Sequence, residues 1–167
     1  TGVVALHHAL AGWPDWPEYG EWLGGRFLYH PGQVRGAAWP DSGYAHDVEY
    51  EVEKVADHPV TTGIPDRFAI KDELYLCPVF EDSVTPLLRS SAQFTCDHFW
   101  SADLAVQGRL HDRTGWTHPQ GSNLIGWAKN AINSRLVYLQ PGDGPSVYNE
   151  PHYRRLVRNA IEWVAAR

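Results

Sequence analysis

The chain begins with a short apolar segment, residues 1–6, that leads directly into the pair His7 and His8. A parallel β-strand that ends in polar residues places them at the carboxyl edge of a sheet, where α/β proteins bind their ligands. On extended backbone neighbouring side chains point to opposite faces, so we expect only one of the two histidines to enter a given pocket. A buried strand at the very start also suggests that part of the domain precedes this sequence.

The length and charge of the chain limit its class. With 167 residues, of which 43% are hydrophobic, it has the size of one globular domain. We expect a single domain over residues 1–167 that is incomplete at its N-terminus. The formal charge of -6, with only 14 Lys and Arg, argues against nucleic-acid binding, and a small molecule is the expected partner. The sequence has no apolar run of about 18 residues and no charged leader, so we expect no membrane association and a cytoplasmic location.

Local patterns predict several elements. Glu18 to Leu23 favours a short helix that stops at Gly24 and Gly25, and the near-alternation from Val48 to Val55 predicts a half-buried strand, antiparallel or at an edge. A further extended piece, Arg67 to Ile70, leads into residues 71–76. The segments Tyr29 to Gly43 and Phe94 to Gly121 have no period and are interpreted as a surface loop and an irregular insertion.

The C-terminal third has the clearest patterns. The apolar segments 123–128 and 135–139 predict a hairpin near the far side of the sheet. Apolar residues at helical spacing from Tyr153 to Val164 predict an amphipathic helix, with Asn149 as its N-cap and Arg167 near its negative end.

Two acidic groups are candidates for chemistry. The neighbours Asp72 and Glu73 should point apart on a strand, so that one acts alone or both form a solvated strand terminus. Asp143 lies in a glycine turn after a strand and either bonds the nearby backbone or acts at a site. If the fold brings Asp143 close to His7 and Glu73, the three side chains are suited to bind a hydroxyl-rich ligand or a divalent metal.

Other chemistries lack sequence support. Nine histidines occur without an HExxH, HxH or paired Cys/His spacing, so no metal ligand set is assigned and a divalent metal is the one cofactor left open. There is no GxSxG elbow and no glycine-rich phosphate loop. Cys77 and Cys96 are predicted to be ordinary buried thiols.

Several segments occur together in an order typical of one family. They are Ala5-Leu6-His7-His8-Ala9, Trp16-Pro17-Glu18-Tyr19, Gly24-Gly25-Arg26-Phe27, His58-Pro59-Val60-Thr61-Thr62-Gly63, Asp72-Glu73-Leu74-Tyr75, Gly126-Trp127-Ala128, Ser134-Arg135-Leu136-Val137-Tyr138 and Asn159-Ala160-Ile161-Glu162-Trp163. In this set the chain resembles the trehalose-utilisation (ThuA-like) family. The resemblance implies an α/β fold, flavodoxin-like and class I glutamine amidotransferase-like, with a mainly parallel sheet and flanking helices.

The resemblance also places His7 where true amidotransferases carry their nucleophilic cysteine, so it excludes cysteine-dependent amidotransferase chemistry. A further departure is Asp143, which follows Gly142 where many relatives have histidine. The family is linked to trehalose and related, often oxidised, sugars. The expected ligand is therefore a carbohydrate or keto-sugar, and the expected enzyme type is an isomerase, lyase or hydrolase.

On this interpretation His7, Glu73 and Asp143 perform acid/base chemistry, and a second set of side chains binds the sugar: His8, Trp13, Trp16 and Trp127. Two alternatives remain open, a non-catalytic carbohydrate-binding or scaffold module and a metal-dependent hydrolase. Because such proteins normally start with further β/α units, we also expect a homo-oligomer, or a separate segment, to cover the edge of the first strand.

Overall fold

The computed structural model describes residues 2–131 and 133–166. The strands are β1 (Val3–Leu6), β2 (Gly32–Val34), β3 (Ala37–Trp39), β4 (Gly43–Lys54), β5 (Arg67–Leu76), β6 (Thr85–Ser90), β7 (Trp100–Ser101), β8 (Leu124–Ala131) and β9 (Ser134–Leu139). The α-helices are α1 (Pro17–Leu23), α2 (Ala102–Val106) and α3 (Pro151–Ala165). Thr1 and Arg167, which the sequence assigned to the first strand and the last helix, lie outside the described residues.

The large sheet has the strand order β1-β9-β8-β6-β4-β5, with β7 paired to β4, while β2 and β3 form a separate hairpin. The strand β1 runs parallel to β9, with Leu6 opposite Leu139. The other ladders of this sheet are antiparallel in the described part of the chain, so the expected mainly parallel pairing is wrong. The short connection between β8 and β9 explains part of this difference, because a parallel pair needs a long crossover.

Helices cover both faces of the central sheet. On one face, α3 buries Tyr153, Leu156 and Ala160 in a cluster that includes Val137 of β9. On the other face, the buried residues of α1 and α2 belong to a cluster that contains Tyr138. Successive residues of a strand point to opposite faces, so β9 contributes to both clusters. This α/β arrangement confirms the predicted fold class.

The ends of the helices follow local chemistry. The first helix stops at Gly24, which has φ 96° and donates its N–H to the carbonyl of Gly20, as predicted. The last helix is also confirmed, but Asn149 is not its N-cap because it lies in the preceding 3₁₀ turn. Instead, the Glu150 carboxylate accepts the Tyr153 N–H at 2.6 Å.

The strand predictions differ mainly in extent and position. The predicted strand near Val48 is confirmed as the antiparallel β4, and residues 67–76 form one strand. The hairpin of β8 and β9 is confirmed, but it lies between β1 and β6 rather than at the far side. The surface loop contains β2 and β3, and the irregular insertion contains β7 and α2, whose start is capped by Ser101.

The first strand lies at the end of the sheet, with β9 as its partner among the described residues. The expected covering of its other edge by a second copy or another segment stays a prediction. None of the helices in residues 2–131 and 133–166 combines the length and apolar character needed to cross a lipid bilayer. Both cysteines are free thiols: Cys77 is buried as predicted, whereas Cys96 is only half-buried.

Candidate active site

His7 occupies a strained turn at the carboxyl end of β1. The strand ends at Leu6, and His7 begins a 3₁₀ turn with φ 46°, in the left-handed region that residues other than glycine seldom adopt. Its Nδ1 lies 2.9 Å from the carbonyl oxygen of Gln140, just beyond β9. Because a carbonyl oxygen only accepts hydrogen bonds, Nδ1 of His7 must carry a proton. The other ring nitrogen, Nε2, lies on the opposite side of the ring and faces away from Gln140. Such strain is typical of functional sites.

Three side chains surround Nε2 of His7. The Tyr75 hydroxyl lies at 2.6 Å, Glu73 Oε2 at 3.1 Å and Asp143 Oδ1 at 3.6 Å. His7 and Glu73 are buried, whereas half of the Asp143 side chain is exposed to solvent. The structure therefore brings together the three residues that the sequence proposed for acid/base chemistry. We call His7, Glu73, Tyr75 and Asp143 the histidine cluster.

The donors and acceptors of the hydrogen bonds in the cluster favour a doubly protonated, positively charged His7 ring. The Tyr75 hydroxyl has one proton, and it donates that proton to Glu73 Oε2 at 2.8 Å. It must then accept from His7, which requires protons on both ring nitrogens. Burial lowers the pKa of His7, but the hydrogen bonds to Glu73 and Gln140 and the charges of Glu73 and Asp143 outweigh it and raise the pKa above 6.5.

His8 is hydrogen-bonded to the same Tyr75 hydroxyl as His7. Its Nδ1 lies 2.9 Å from Tyr75 Oη, and its Nε2 is hydrogen-bonded to Tyr29. Both histidines reach Tyr75 because the chain turns into a 3₁₀ helix at His7 instead of remaining extended. Of the two, only His8 lines the cleft described below, in agreement with the expectation that one histidine enters a given pocket. Burial and the neighbouring His7 charge lower the pKa of His8. His8 is therefore the neutral partner of the pair, a donor to Tyr75 and an acceptor from Tyr29.

Asp72 and Glu73 point to opposite sides of β5, as predicted, but neither forms a solvated terminus. The strand continues to Leu76, so both carboxylates are buried within it. Asp72 accepts the N–H groups of Gly142 at 2.6 Å and Gly144 at 3.1 Å. Asp72 therefore fixes the turn that carries Asp143, while Glu73 enters the histidine cluster.

The Asp143 turn depends on a glycine. Gly142 has φ 142°, and a Cβ atom built on it would lie 3.0 Å from the hydroxyls of Tyr148 and Tyr153 and 3.2 Å from His7 Cβ. A side chain at this position would displace either a tyrosine or the histidine. The close approach brings Asp143 within reach of the His7 ring.

His46 is a neighbour of the cluster that the sequence analysis missed. Its Nε2 lies 3.1 Å from Glu73 Oε1, and its side chain is 44% exposed. The β4 to β5 register passes from Ala45 opposite Leu74 to Val48 opposite Asp72, so two residues of β4 oppose Glu73 alone. Such a β-bulge redirects side chains and is common near active sites. No sequence pattern marked this bulge.

Tyr75 was also missed, although a signal for it was present. Tyr75 and Glu73 are two residues apart on one strand, a spacing that places both side chains on the same face. Burial and the negative charge of Glu73 raise the pKa of Tyr75 far above its ordinary value, so it stays a neutral hydroxyl. It links Glu73 to both histidines.

A cleft of about 270 Å³ opens beside Glu73 and Tyr75. We call it the aromatic cleft. Its lining residues are His8, Phe27, Tyr29, Tyr44, His46, Glu73, Tyr75, Ala102, Ala105, Val106 and Leu110. The cleft gives a small molecule access to the cluster from the side of His46.

The predicted tryptophans are not part of this cleft. Trp127 has 0% exposure, donates its indole N–H to the Leu23 carbonyl at 2.8 Å and stacks on Tyr138. Its proposed role in sugar binding is wrong, because the core encloses the whole ring. Trp13 and Trp16 are exposed and pack around Tyr19, and neither lines the aromatic cleft. Their proposed contact with a sugar stays a prediction.

Three residues of the histidine cluster also form a group of candidate metal ligands. His7, Glu73 and Asp143 each offer one ligand atom, and these three atoms lie within 4.8 Å of one another. The Gln140 carbonyl orients the His7 ring by holding Nδ1, an arrangement common for histidine ligands. An imidazole with two carboxylates is suited to divalent cations such as Mn²⁺ or Zn²⁺.

Comparisons with known proteins agree with this α/β fold. The model of the ThuA family, described as trehalose utilisation, matches residues 1–164. The chain therefore belongs to the ThuA family. A search of curated proteins finds no match.

Two solved structures share the fold. The chain is similar to a ThuA-like protein from Parabacteroides merdae, with 18% identity and a TM-score of 0.65, covering 99% of this chain and 60% of that one. It is also similar to a ThuA-like protein from Bacteroides uniformis, with 23% identity and a TM-score of 0.64, covering 99% and 59%. The chain thus spans about 60% of the length of these relatives.

Proposed function

We propose that this chain carries out acid/base chemistry on a carbonyl-bearing sugar, with Glu73 as the base and His7 as the source of the acidic proton. The observation that carries the proposal is the convergence of Glu73 Oε2 and Tyr75 Oη on Nε2 of His7, at 3.1 and 2.6 Å. The family's link to sugars supports the class of substrate. Proton transfer next to a carbonyl requires a base and an acid close together, and this buried cluster holds both.

In the proposed reaction, Glu73 removes a proton from the carbon next to the sugar carbonyl. The electron pair of that C–H bond forms a C=C bond, and the carbonyl π pair moves to oxygen. The oxygen takes a proton from the Tyr75 hydroxyl, and Nε2–H of His7 restores it across 2.6 Å. The product is an enediol. It isomerises when the former carbonyl carbon is protonated, or it expels a leaving group from the carbon next to the new C=C bond.

Tyr75 is well placed to connect the two histidines to the ligand. It lines the aromatic cleft, whereas His7 does not. Before proton abstraction, the Tyr75 proton points to Glu73, and after Glu73 becomes protonated the hydroxyl is released to turn towards the new oxyanion. Asp143 offsets the imidazolium charge, and half of its side chain is exposed to solvent.

The experiment follows deuterium entry at the carbon next to the carbonyl, by NMR, with oxidised glucosides in D₂O. We expect Glu73→Gln to slow the exchange about 10²- to 10⁴-fold. The matched control is Glu49→Gln, which changes an exposed carboxylate on β4. Circular dichroism checks that both variants are folded. Equal exchange rates in the Glu73 variant and the control would remove Glu73 from the mechanism, and sugar binding without exchange or product would favour a non-catalytic module.

A metal-dependent hydrolase is a second candidate, favoured by the 4.8 Å grouping of His7, Glu73 and Asp143. Here an ion would polarise the substrate or activate water. Calorimetric titration with Mn²⁺ or Zn²⁺ tests this function. The metal mechanism is favoured if the wild type binds the ion stoichiometrically and loses activity on chelation. Binding should be lost in Asp143→Asn and kept in the control Asp15→Asn, which changes an exposed carboxylate.

A further inference from the structure

The lining of the aromatic cleft is of two chemical kinds. Four of its residues present polar groups, namely Glu73, Tyr75, His8 and His46. These groups match a hydroxylated ring, because they both donate and accept hydrogen bonds. Polar recognition is therefore concentrated at these four residues.

The rest of the lining is mainly carbon surface. It consists of the aliphatic side chains of α2 and the segment that follows it, together with three aromatic rings: Ala102, Ala105, Val106, Leu110, Phe27, Tyr29 and Tyr44. Val106 and Leu110 are 55% and 65% exposed, although both are large and apolar.

The two tyrosine hydroxyls of this surface each already have one partner within the protein. The hydroxyl of Tyr44 accepts the His111 N–H at 2.9 Å, and that of Tyr29 is bonded to His8. Most of what this surface offers a ligand is therefore ring and methyl carbon. A second sugar in that position would lose water from most of its hydroxyls without gaining partners, which is costly.

We infer that the substrate is a glycoside whose aglycone is an aromatic ring rather than a second sugar. This inference rests on the proposed function, because it places the reacting sugar at Glu73 and Tyr75. The aglycone then packs on the carbon surface to which Phe27, Val106 and Leu110 contribute. The volume of about 270 Å³ is close to the lower limit of small-ligand pockets and suits a single ring in addition to the part of the sugar that enters.

Two measurements on the same ligand series test this inference. Calorimetry compares the binding of phenyl, methyl and glucosyl glucosides that are not oxidised, and turnover is measured with their oxidised forms. Apolar pockets distinguish groups of one methylene by about 10- to 200-fold, so we expect the phenyl compound to exceed both others at least tenfold in affinity and in kcat/KM.

Variants locate the preference in the cleft. The double variant Val106→Ser, Leu110→Ser should lower the phenyl-to-methyl ratio about tenfold. The control Ile161→Ser changes an equally exposed apolar residue on α3, away from the cleft, and should keep the ratio of the wild type. Because all three side chains are largely exposed, these changes should leave the fold intact.

The outcomes separate the two proposals. Phenyl binding that is no tighter than methyl binding, or a preference for the glucosyl compound, overturns the inference whatever the turnover. Tight phenyl binding without conversion of any oxidised glucoside supports the inference and overturns the proposed function. A wild-type dimer that dissociates in the double variant would assign Val106 and Leu110 to a contact between copies, against the inference.

Discussion

Asp72→Asn should loosen the turn that presents Asp143 to His7. The Asp72 carboxylate is buried and accepts the N–H groups of Gly142 and Gly144 with separate oxygens, at 2.6 and 3.1 Å. The Asp143 N–H makes a longer contact of 3.4 Å with the same oxygen as Gly142. An asparagine has the same shape but only one acceptor oxygen, so its amide group faces either the Gly142 or the Gly144 N–H. The substitution therefore removes one charge-assisted hydrogen bond and converts the other to a neutral one.

The size of the effect follows from these two bonds. Loss of a hydrogen bond to a charged group costs about 1.5–3 kcal/mol, and the change of the other from charged to neutral costs about 1 kcal/mol more. We expect Asp72→Asn to lower the free energy of unfolding by about 2.5–4 kcal/mol. With a urea dependence of about 2 kcal/mol per M, the midpoint should fall by about 1–2 M.

Urea unfolding followed by tryptophan fluorescence measures the midpoint, and hydrogen exchange of the Gly142 and Gly144 amides reports on the turn itself. The control is Asp143→Asn in the same turn, whose half-exposed side chain should change stability by less than about 0.5 kcal/mol. If Asp72→Asn unfolds at the same urea concentration as the control, Asp72 does not hold the turn and the reasoning is refuted.

Three further predictions concern the histidine cluster. The pKa of His7 is raised in the folded state, so protonated His7 stabilises the fold fully at pH values below its ordinary pKa of about 6.5, and this stabilisation is lost as the pH rises through the folded pKa. The difference in unfolding free energy between wild type and His7→Asn should therefore shrink as the pH rises. A difference that grows with pH would contradict this prediction. Tyr75→Phe should cost about 1–3 kcal/mol, because it removes the hydroxyl that donates to the buried Glu73 carboxylate and accepts from His7. NMR titration should show a changed His7 pKa, and unchanged values would exclude the hydrogen-bond network. Gly142→Ala should destabilise by more than about 1 kcal/mol in thermal unfolding because of its positive φ and close contacts, whereas Gly144→Ala, with a nearest atom at 3.4 Å, should be far milder; equal effects would contradict the steric argument.

The elements that the sequence predicted well are those with short-range causes. The apolar spacing from Tyr153 to Val164 lies on one side of a helix, and it suffices to predict α3. The stop of α1 at Gly24 needs only a residue that adopts positive φ. The misplaced N-cap at Asn149 shows the limit of such reasoning, since an acidic neighbour competes for the same role.

The candidate residues of the site were also found in part from the sequence. His7, Glu73 and Asp143 each lie beside or within a strand and have suitable chemistry, which was enough to select them. The error at Trp127 has a clear cause: composition marks a tryptophan as a possible platform for sugars but does not show that the core encloses it. His46 was missed because it depends on a bulge.

The sequence by itself determined the α/β class, the C-terminal helix, the β8 and β9 hairpin and the absence of a cysteine at the strand end. Only the tertiary structure decided that β1 pairs with β9, which brings His7 level with Gln140, and that the β4 bulge directs His46 to Glu73. The physical reason is that periodicity reports on neighbours within a few residues, whereas sheet register depends on packing between distant segments. The polar strand end at His7 was visible in the sequence, but its partners were not.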